Sequence, residues 1–127
     1  MSNKIPNPNV KPKYDLRERT AAFGEAVIAF VDRLPPYAKN QPLISQVVRA
    51  STSIGANYME ADGADSYRDF RYKIALCKKE AKETTHWIRM LAAANPDVVS
   101  ECRILWQEAH ELALIFAAIL LKRKNKT

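Results

Sequence analysis

Six cations recur along one stretch of the chain: Arg68, Arg71, Lys78, Lys79, Lys82 and Arg89. Most are separated by three, four or seven residues, the steps that return a helix to the same face. Such a row can follow a phosphate backbone, because neutralising phosphates releases their condensed counterions. Tyr67 and Tyr72 are the aromatics beside it, which is thin for a platform that stacks unpaired bases. The same row also suits a solvated, solubilising face, so spacing alone does not choose between the two.

Other groups invite chemistry and fail on completeness. Glu83 and His86 form an E-x-x-H pair, the ligand spacing of di-metal helical bundles, which need two such pairs and two further glutamates. The second pair is missing, since Glu108 and His110 stand one residue too close. Ser51, Ser53 and Asn57 cluster at helical spacing around Gly55, and they read as packing and interhelical hydrogen-bond positions. Glu80 and Glu83 read as ion-pair partners of Lys73, Lys79 and Lys82. Trp87 and Trp106 read as core or subunit anchors. No nucleophile elbow, zinc-protease motif, Walker loop or dinucleotide fingerprint is present. The expectation is a protein that is not an enzyme, with no cofactor and no metal.

The chain has 127 residues, 47% of them hydrophobic, and a net charge of +6. That is enough for one core, and the near absence of strand alternation points to an all-α fold. The charge is unevenly placed: +3 over residues 1–14, −2 over 15–65, +4 over 66–95, −3 over 96–121 and +4 over 122–127. Basic character in two tails and one helix favours an acidic partner, of which nucleic acid is the commonest. Two separated cysteines, Cys77 and Cys102, read as buried thiols of a reducing compartment. No signal-peptide pattern opens the chain, and the most apolar run, Leu112–Leu121, is about half a membrane span. The cytoplasm, without membrane association, is the expected location.

The elements that must position these residues divide the chain into a basic arm (1–13), a helical domain (14–121) and a basic tail (122–127). A first helix starts at an Asp15 cap with Glu18 three residues on, and Pro35-Pro36 ends its run. A second starts at Gln41-Pro42 behind Asn40 as cap and fades at Gly63, where glycine suits the residue after a helix. A third runs from Tyr67 to Ala94, capped by Ser66 with Asp69 in its first turn. Its seam is Phe70, Ile74, Cys77, Ala81, Thr84, Ile88 and Leu91, the spacing of a near-parallel bundle. Asn95-Pro96 stops it, and a fourth helix opens at Asp97 and runs to Leu121.

Two stretches speak of assembly. Small residues in the second helix (Ser51, Gly55 and their neighbours) let another helix approach closely. The fourth helix loses its solvent face beyond Glu111, which argues that subunits bury Leu112, Ile115, Phe116 and Ile119 against one another. Ser51, Gly55 and these four form the expected oligomer interface.

Three segments carry a family resemblance. Arg49–Ala61 (RASTSIGANYMEA), Asp65–Thr84 (DSYRDFRYKIALCKKEAKET) and His86–Leu91 (HWIRML) resemble the bacterial four-helix bundle proteins. That family includes the 23S rRNA intervening-sequence proteins and, more distantly, accessory proteins of diversity-generating retroelements. Arg49, Ala50, Ser53, Ile54, Asn57 and Glu60 match its most specific motif. The resemblance implies an antiparallel up-down-up-down bundle that assembles as a homopentamer, with a basic surface for nucleic acid. It implies no catalysis, and it raises an alternative role as a protein-interaction scaffold, such as a reverse transcriptase accessory subunit.

Overall fold

Asp15 opens the first helix through its side chain, which accepts a hydrogen bond from the Glu18 amide at 3.3 Å. A computed structural model describes residues 15–122 of the chain. It contains four helices: α1 (Leu16–Val31), α2 (Asn40–Asp62), α3 (Tyr67–Ala94) and α4 (Val99–Leu121), with a 3-10 turn at Pro96–Val98 before α4. The basic arm and all but the first residue of the basic tail lie outside the described residues.

Ser66 caps α3 as its sequence predicts, accepting from the Asp69 amide at 3.0 Å. Other end signals resolve differently, and α1 itself stops at Val31, short of Pro35-Pro36. Asn40 is the first residue of α2 and does not cap it; the residue before the helix is Lys39, which makes no capping bond. The Asn40 side chain is instead buried and bonded to Pro35 and Asn95. Gly63 follows α2 with φ −101°, a conformation open to any residue, so no left-handed glycine terminates the helix. The sharp stop before α4 is a 3-10 turn, which delays α4 by two residues relative to an Asp97 start.

α2 packs on α3, α3 on α4 and α1 on α2, while α1 and α4 meet more sparsely. The α3 seam goes to the core as its spacing requires: Ile74, Cys77, Ala81, Thr84, Ile88 and Leu91 are buried, and Phe70 packs against the cluster half-buried. Fully buried Val27, Ile54, Leu112 and Phe116 complete it from the other three helices, each side chain contributing about 1.5–3 kcal/mol relative to exposure. Among the described residues no buried side-chain nitrogen or oxygen lacks a partner.

The α1–α2 contact depends on small residues. A Cβ at Gly55 would stand 3.3 Å from the Thr20 hydroxyl, and one at Gly24 would stand 3.6 Å from Thr52. A side chain at Gly55 would press on the facing helix, whereas one at Gly24 would meet it at ordinary contact distance.

α4 carries two surprises. With the preceding turn, Pro96–Leu121 is long and apolar enough to cross a membrane, where Leu112–Leu121 alone falls short. Its Cys102, Leu105, Ala109, Leu112, Ala113 and Phe116 are nonetheless buried within the chain. Leu112 and Phe116 are therefore core residues of the single chain, not surface available to a second copy, and Ser51 is fully buried too. The most exposed large apolar side chains of α4 are Ile104, Leu114 and Leu121, at 71%, 56% and 82% exposure.

Candidate nucleic-acid interface

α3 places the cations by the same geometry that buries its seam. One step around the helix from the seam lies the flank of Arg71, Ala75, Lys78, Lys82 and Arg89. The structure sorts these residues into three groups.

Arg71 is structural. Its guanidinium donates to the Leu120 carbonyl at 2.9 Å, satisfying an end carbonyl of α4 and setting a cation at that helix's negative pole. It also lies 5.9 Å from the centroid of the Tyr67 ring.

Lys78, Lys79 and Lys82 come together. With Ala75 and with Leu120 of α4 they line a concavity of about 410 Å³. Among the described residues none of the three enters an ion pair.

Arg68 is exposed at the start of α3. Arg89 lies at the far end, beside Arg103 and Trp106 on a separate groove.

The acids of α3 explain why the lysines are free. Sequence spacing suggests Glu80 and Glu83 as their partners, but both turn toward α2. Arg49 of α2 holds Glu80 at 3.3 Å and also pairs with Glu83. The Trp87 indole donates to Glu83 at 2.8 Å, so Trp87 is a hydrogen-bonded anchor. Lys73 pairs with Glu60 of α2 at 2.6 Å. The helix thus sends its negative charge to one side and leaves three positive charges on the other. A carboxylate beside the lysines would have cancelled much of their field.

α4 is neutralised in a comparable way. Arg19 of α1 grips Glu108 at 2.7 Å and reaches Glu111 at 3.0 Å. Hydrogen bonds from Gln107 and then from Arg19 lower the Glu111 pKa from the ordinary carboxylate value. The E-x-x-H pair is divided: Glu83 is held by Arg49 and Trp87, and His86 packs edge-on against Trp87. No three metal-ligating groups converge among the described residues. Cys77 donates to the Ile54 carbonyl at 3.6 Å, and burial pushes its thiol up to about 12.

Sequence reasoning missed Arg49, whose role needs the α2–α3 alignment, and it missed Arg103 and Trp106 as neighbours of Arg89. Their i, i+3 spacing on α4 was visible, but their approach to α3 was not. Of the expected interface residues Ile115 and Ile119 are half-buried against the core, and Gly55 lines a groove of about 260 Å³ between α1 and α2.

A solved structure from Bacteroides thetaiotaomicron, described as a protein of unknown function from the S23 ribosomal protein family, superposes with a TM-score of 0.77 at 25% identity. The match covers 84% of this chain and 99% of that one. No curated protein matches the chain. The family profile of the 23S rRNA-intervening sequence proteins matches residues 13–118, and the chain belongs to that family.

Proposed function

We propose that this is a non-enzymatic, cytoplasmic protein that binds nucleic acid, RNA foremost, along its phosphate backbone. Lys78, Lys79 and Lys82 form the principal contact, extended by Arg68 and Arg89. The observation that carries the reading is the separation of charge on α3, with Glu80 and Glu83 held by Arg49 while three lysines stay unpaired around one concavity. The family's name, which refers to an rRNA insertion, supports RNA over other polyanions.

The reading includes assembly. The contacts of Arg71 with Leu120 and of Asn40 with Asn95 support an antiparallel up-down-up-down course. Two different apolar surfaces face outward, one on α4 (Ile104, Leu114, Leu121) and one beside the α1–α2 groove (Ile28, Met59). Unlike surfaces suit a head-to-tail contact, which closes into a ring when the rotation between copies completes a circle; five copies is the number expected of the family resemblance. A ring would repeat the lysine concavity around its circumference and strengthen its field.

Binding of single-stranded RNA measured against salt tests the reading. Three phosphate contacts predict a log–log slope of about −2, since single strands release about 0.7 counterion per contact. Lys78→Ala and Lys82→Ala should each flatten it. Binding that is absent or independent of salt overturns the proposal. A second reading, a scaffold for a protein partner such as a reverse transcriptase, draws on the same exposed apolar residues. Recovery of a specific protein after nuclease treatment, without RNA binding, would favour it.

A further inference from the structure

The groove at the other end of the α3–α4 contact differs chemically from the lysine concavity. It holds about 280 Å³ between the last turns of α3 and the first turns of α4. Ile88, Ala92 and Cys102 form its apolar floor, Val99 and the Trp106 indole its walls, and Arg89 and Arg103 its charged rim. Ile88 and Cys102 are buried, whereas Trp106 is 37% exposed.

His110 stacks on the indole, with centroids 4.9 Å apart and planes 17° apart, and so fixes the ring's orientation. Trp106 lines the groove and His110 does not. Among the described residues the guanidinium of neither Arg89 nor Arg103 forms an ion pair or hydrogen bond.

An apolar slot with an aromatic wall and two unpaired guanidiniums at its mouth complements a flat ring joined to an anion. The volume falls just below the usual range of ligand sites, roughly 300 to 1,000 Å³. That suits one ring system and excludes a length of folded strand. Arg89 shares a helix flank with Lys82 seven residues earlier, about 10 Å along the axis at 1.5 Å per residue. A strand crossing the lysines would therefore reach the groove.

We propose that this groove receives one unpaired base of a single-stranded nucleic acid, stacked on Trp106, with Arg89 and Arg103 on the flanking phosphates. The proposal rests on the reading of the lysine face as a phosphate-binding surface and adds a contact to the base itself. Continuity with that face is what favours a nucleotide over the other ligand of similar chemistry, an acidic peptide bearing an aromatic side chain.

The chain has two tryptophans, so Trp87→Phe leaves Trp106 as the sole reporter. That variant is titrated with a short oligoadenylate and with an abasic oligomer of the same length. The oligoadenylate should quench Trp106 fluorescence and the abasic oligomer should not. Trp106→Ala should weaken oligoadenylate binding about tenfold, within the range for loss of one stacked base, and leave the abasic affinity unchanged. Trp106→Tyr, which keeps a stacking ring, should recover most of the loss and guards against a folding defect. Equal, salt-dependent binding of both oligomers without an effect at Trp106 overturns the base site and leaves the phosphate reading standing. Binding of neither overturns both. Quenching by a glutamate-rich peptide bearing one phenylalanine, in place of the oligomers, gives the groove to an acidic peptide and overturns the proposal.

Discussion

The side-chain amides of Asn40 and Asn95, 55 residues apart in sequence, bond each other reciprocally inside one end of the bundle, at 3.0 and 2.8 Å. Each amide uses its second hydrogen on a nearby carbonyl, Asn40 on Pro35 and Asn95 on Leu91. The pair joins the α1–α2 connection, the start of α2 and the end of α3 at a single buried point.

Because the oxygen and one hydrogen of each amide are satisfied by the other amide, removing one leaves those groups of its partner unpaired in the core. Asn40→Ala and Asn95→Ala should each cost about 2–3 kcal/mol, the range for an unsatisfied buried polar group plus a lost hydrogen bond. The double variant should cost less than the two singles together, by at least about 1 kcal/mol. Urea denaturation of all four proteins measures this coupling, and additive losses would mean that the pair does not act as a unit.

The two helical glycines facing across the α1–α2 contact should answer differently to alanine. A Cβ at Gly24 meets Thr52 at ordinary contact distance, 3.6 Å. Gly24→Ala should therefore keep the helix-propensity gain, up to about 1 kcal/mol. At Gly55 the new methyl presses on the Thr20 hydroxyl at 3.3 Å. That hydroxyl is buried and donates to the Leu16 carbonyl at 2.7 Å, so it has little freedom to yield. Gly55→Ala should lose the propensity gain. Thermal denaturation that finds equal stabilisation at both sites would show that α1 shifts outward freely.

How much of this was readable beforehand depends on whether local or long-range contacts decide. The bounds of α3, its Ser66 cap and its buried seam follow from spacing, because a helix period and a capping pair are local facts. Asn40 misleads, since an asparagine before a proline-bearing first turn looks like a cap until Asn95 arrives from another helix. Glu80 and Glu83 mislead for the same reason: lysines are near in sequence, Lys79 four residues before Glu83, and only the α2–α3 alignment brings Arg49. The cation stripe was legible as a row. Its division into a structural Arg71, a lysine concavity and an arginine–tryptophan groove depends on where α4 lies.

Arg49 should affect binding without touching the ligand. It is partly exposed, so Arg49→Ala should cost only about 1 kcal/mol or less in stability. The freed Glu80 and Glu83 then add uncompensated negative charge to α3. RNA affinity should fall although no phosphate contact is lost, and the salt slope should stay near the wild-type value. A slope reduced as in Lys82→Ala would mean that Arg49 itself meets phosphate.

Cys77 makes stability depend on alkaline pH. Burial holds its thiol near 12, against an ordinary value of 9.0. The raised folded value means that its stabilising contribution is full below the unfolded pKa and is lost as pH rises through the folded one. The loss begins near pH 9 as the unfolded chain ionises, at about 1.4 kcal/mol per pH unit. Between pH 8 and pH 10 the native chain should lose about 1.4 kcal/mol more than Cys77→Ala. Parallel pH profiles for the two proteins would show that the thiol is not held protonated.

The faces of α4 separate folding from assembly. Leu112 and Phe116 are fully buried within the single chain. Phe116→Asp would put an unpaired carboxylate in the core at a cost of several kcal/mol, comparable to the whole stability of a small domain. It should unfold the protein and say nothing about partners. Leu114 and Leu121, at 56% and 82% exposure, have no such role in the core. Leu114→Asp and Leu121→Asp should keep helical circular dichroism and the thermal midpoint of the isolated fold. If α4 meets a second copy, its apolar residues leave water there, and an aspartate at the contact should lower the mass found by light scattering toward that of one chain. An assembled mass unchanged in both variants removes α4 as the interface. Unlike contact surfaces also predict complementation: a Leu114→Asp chain keeps an intact α1–α2 groove, so it should join wild-type chains, fail to close the ring and lower the assembled mass when mixed. A two-fold contact of α4 with itself would instead leave wild-type assemblies unaffected, because the variant would be excluded from them.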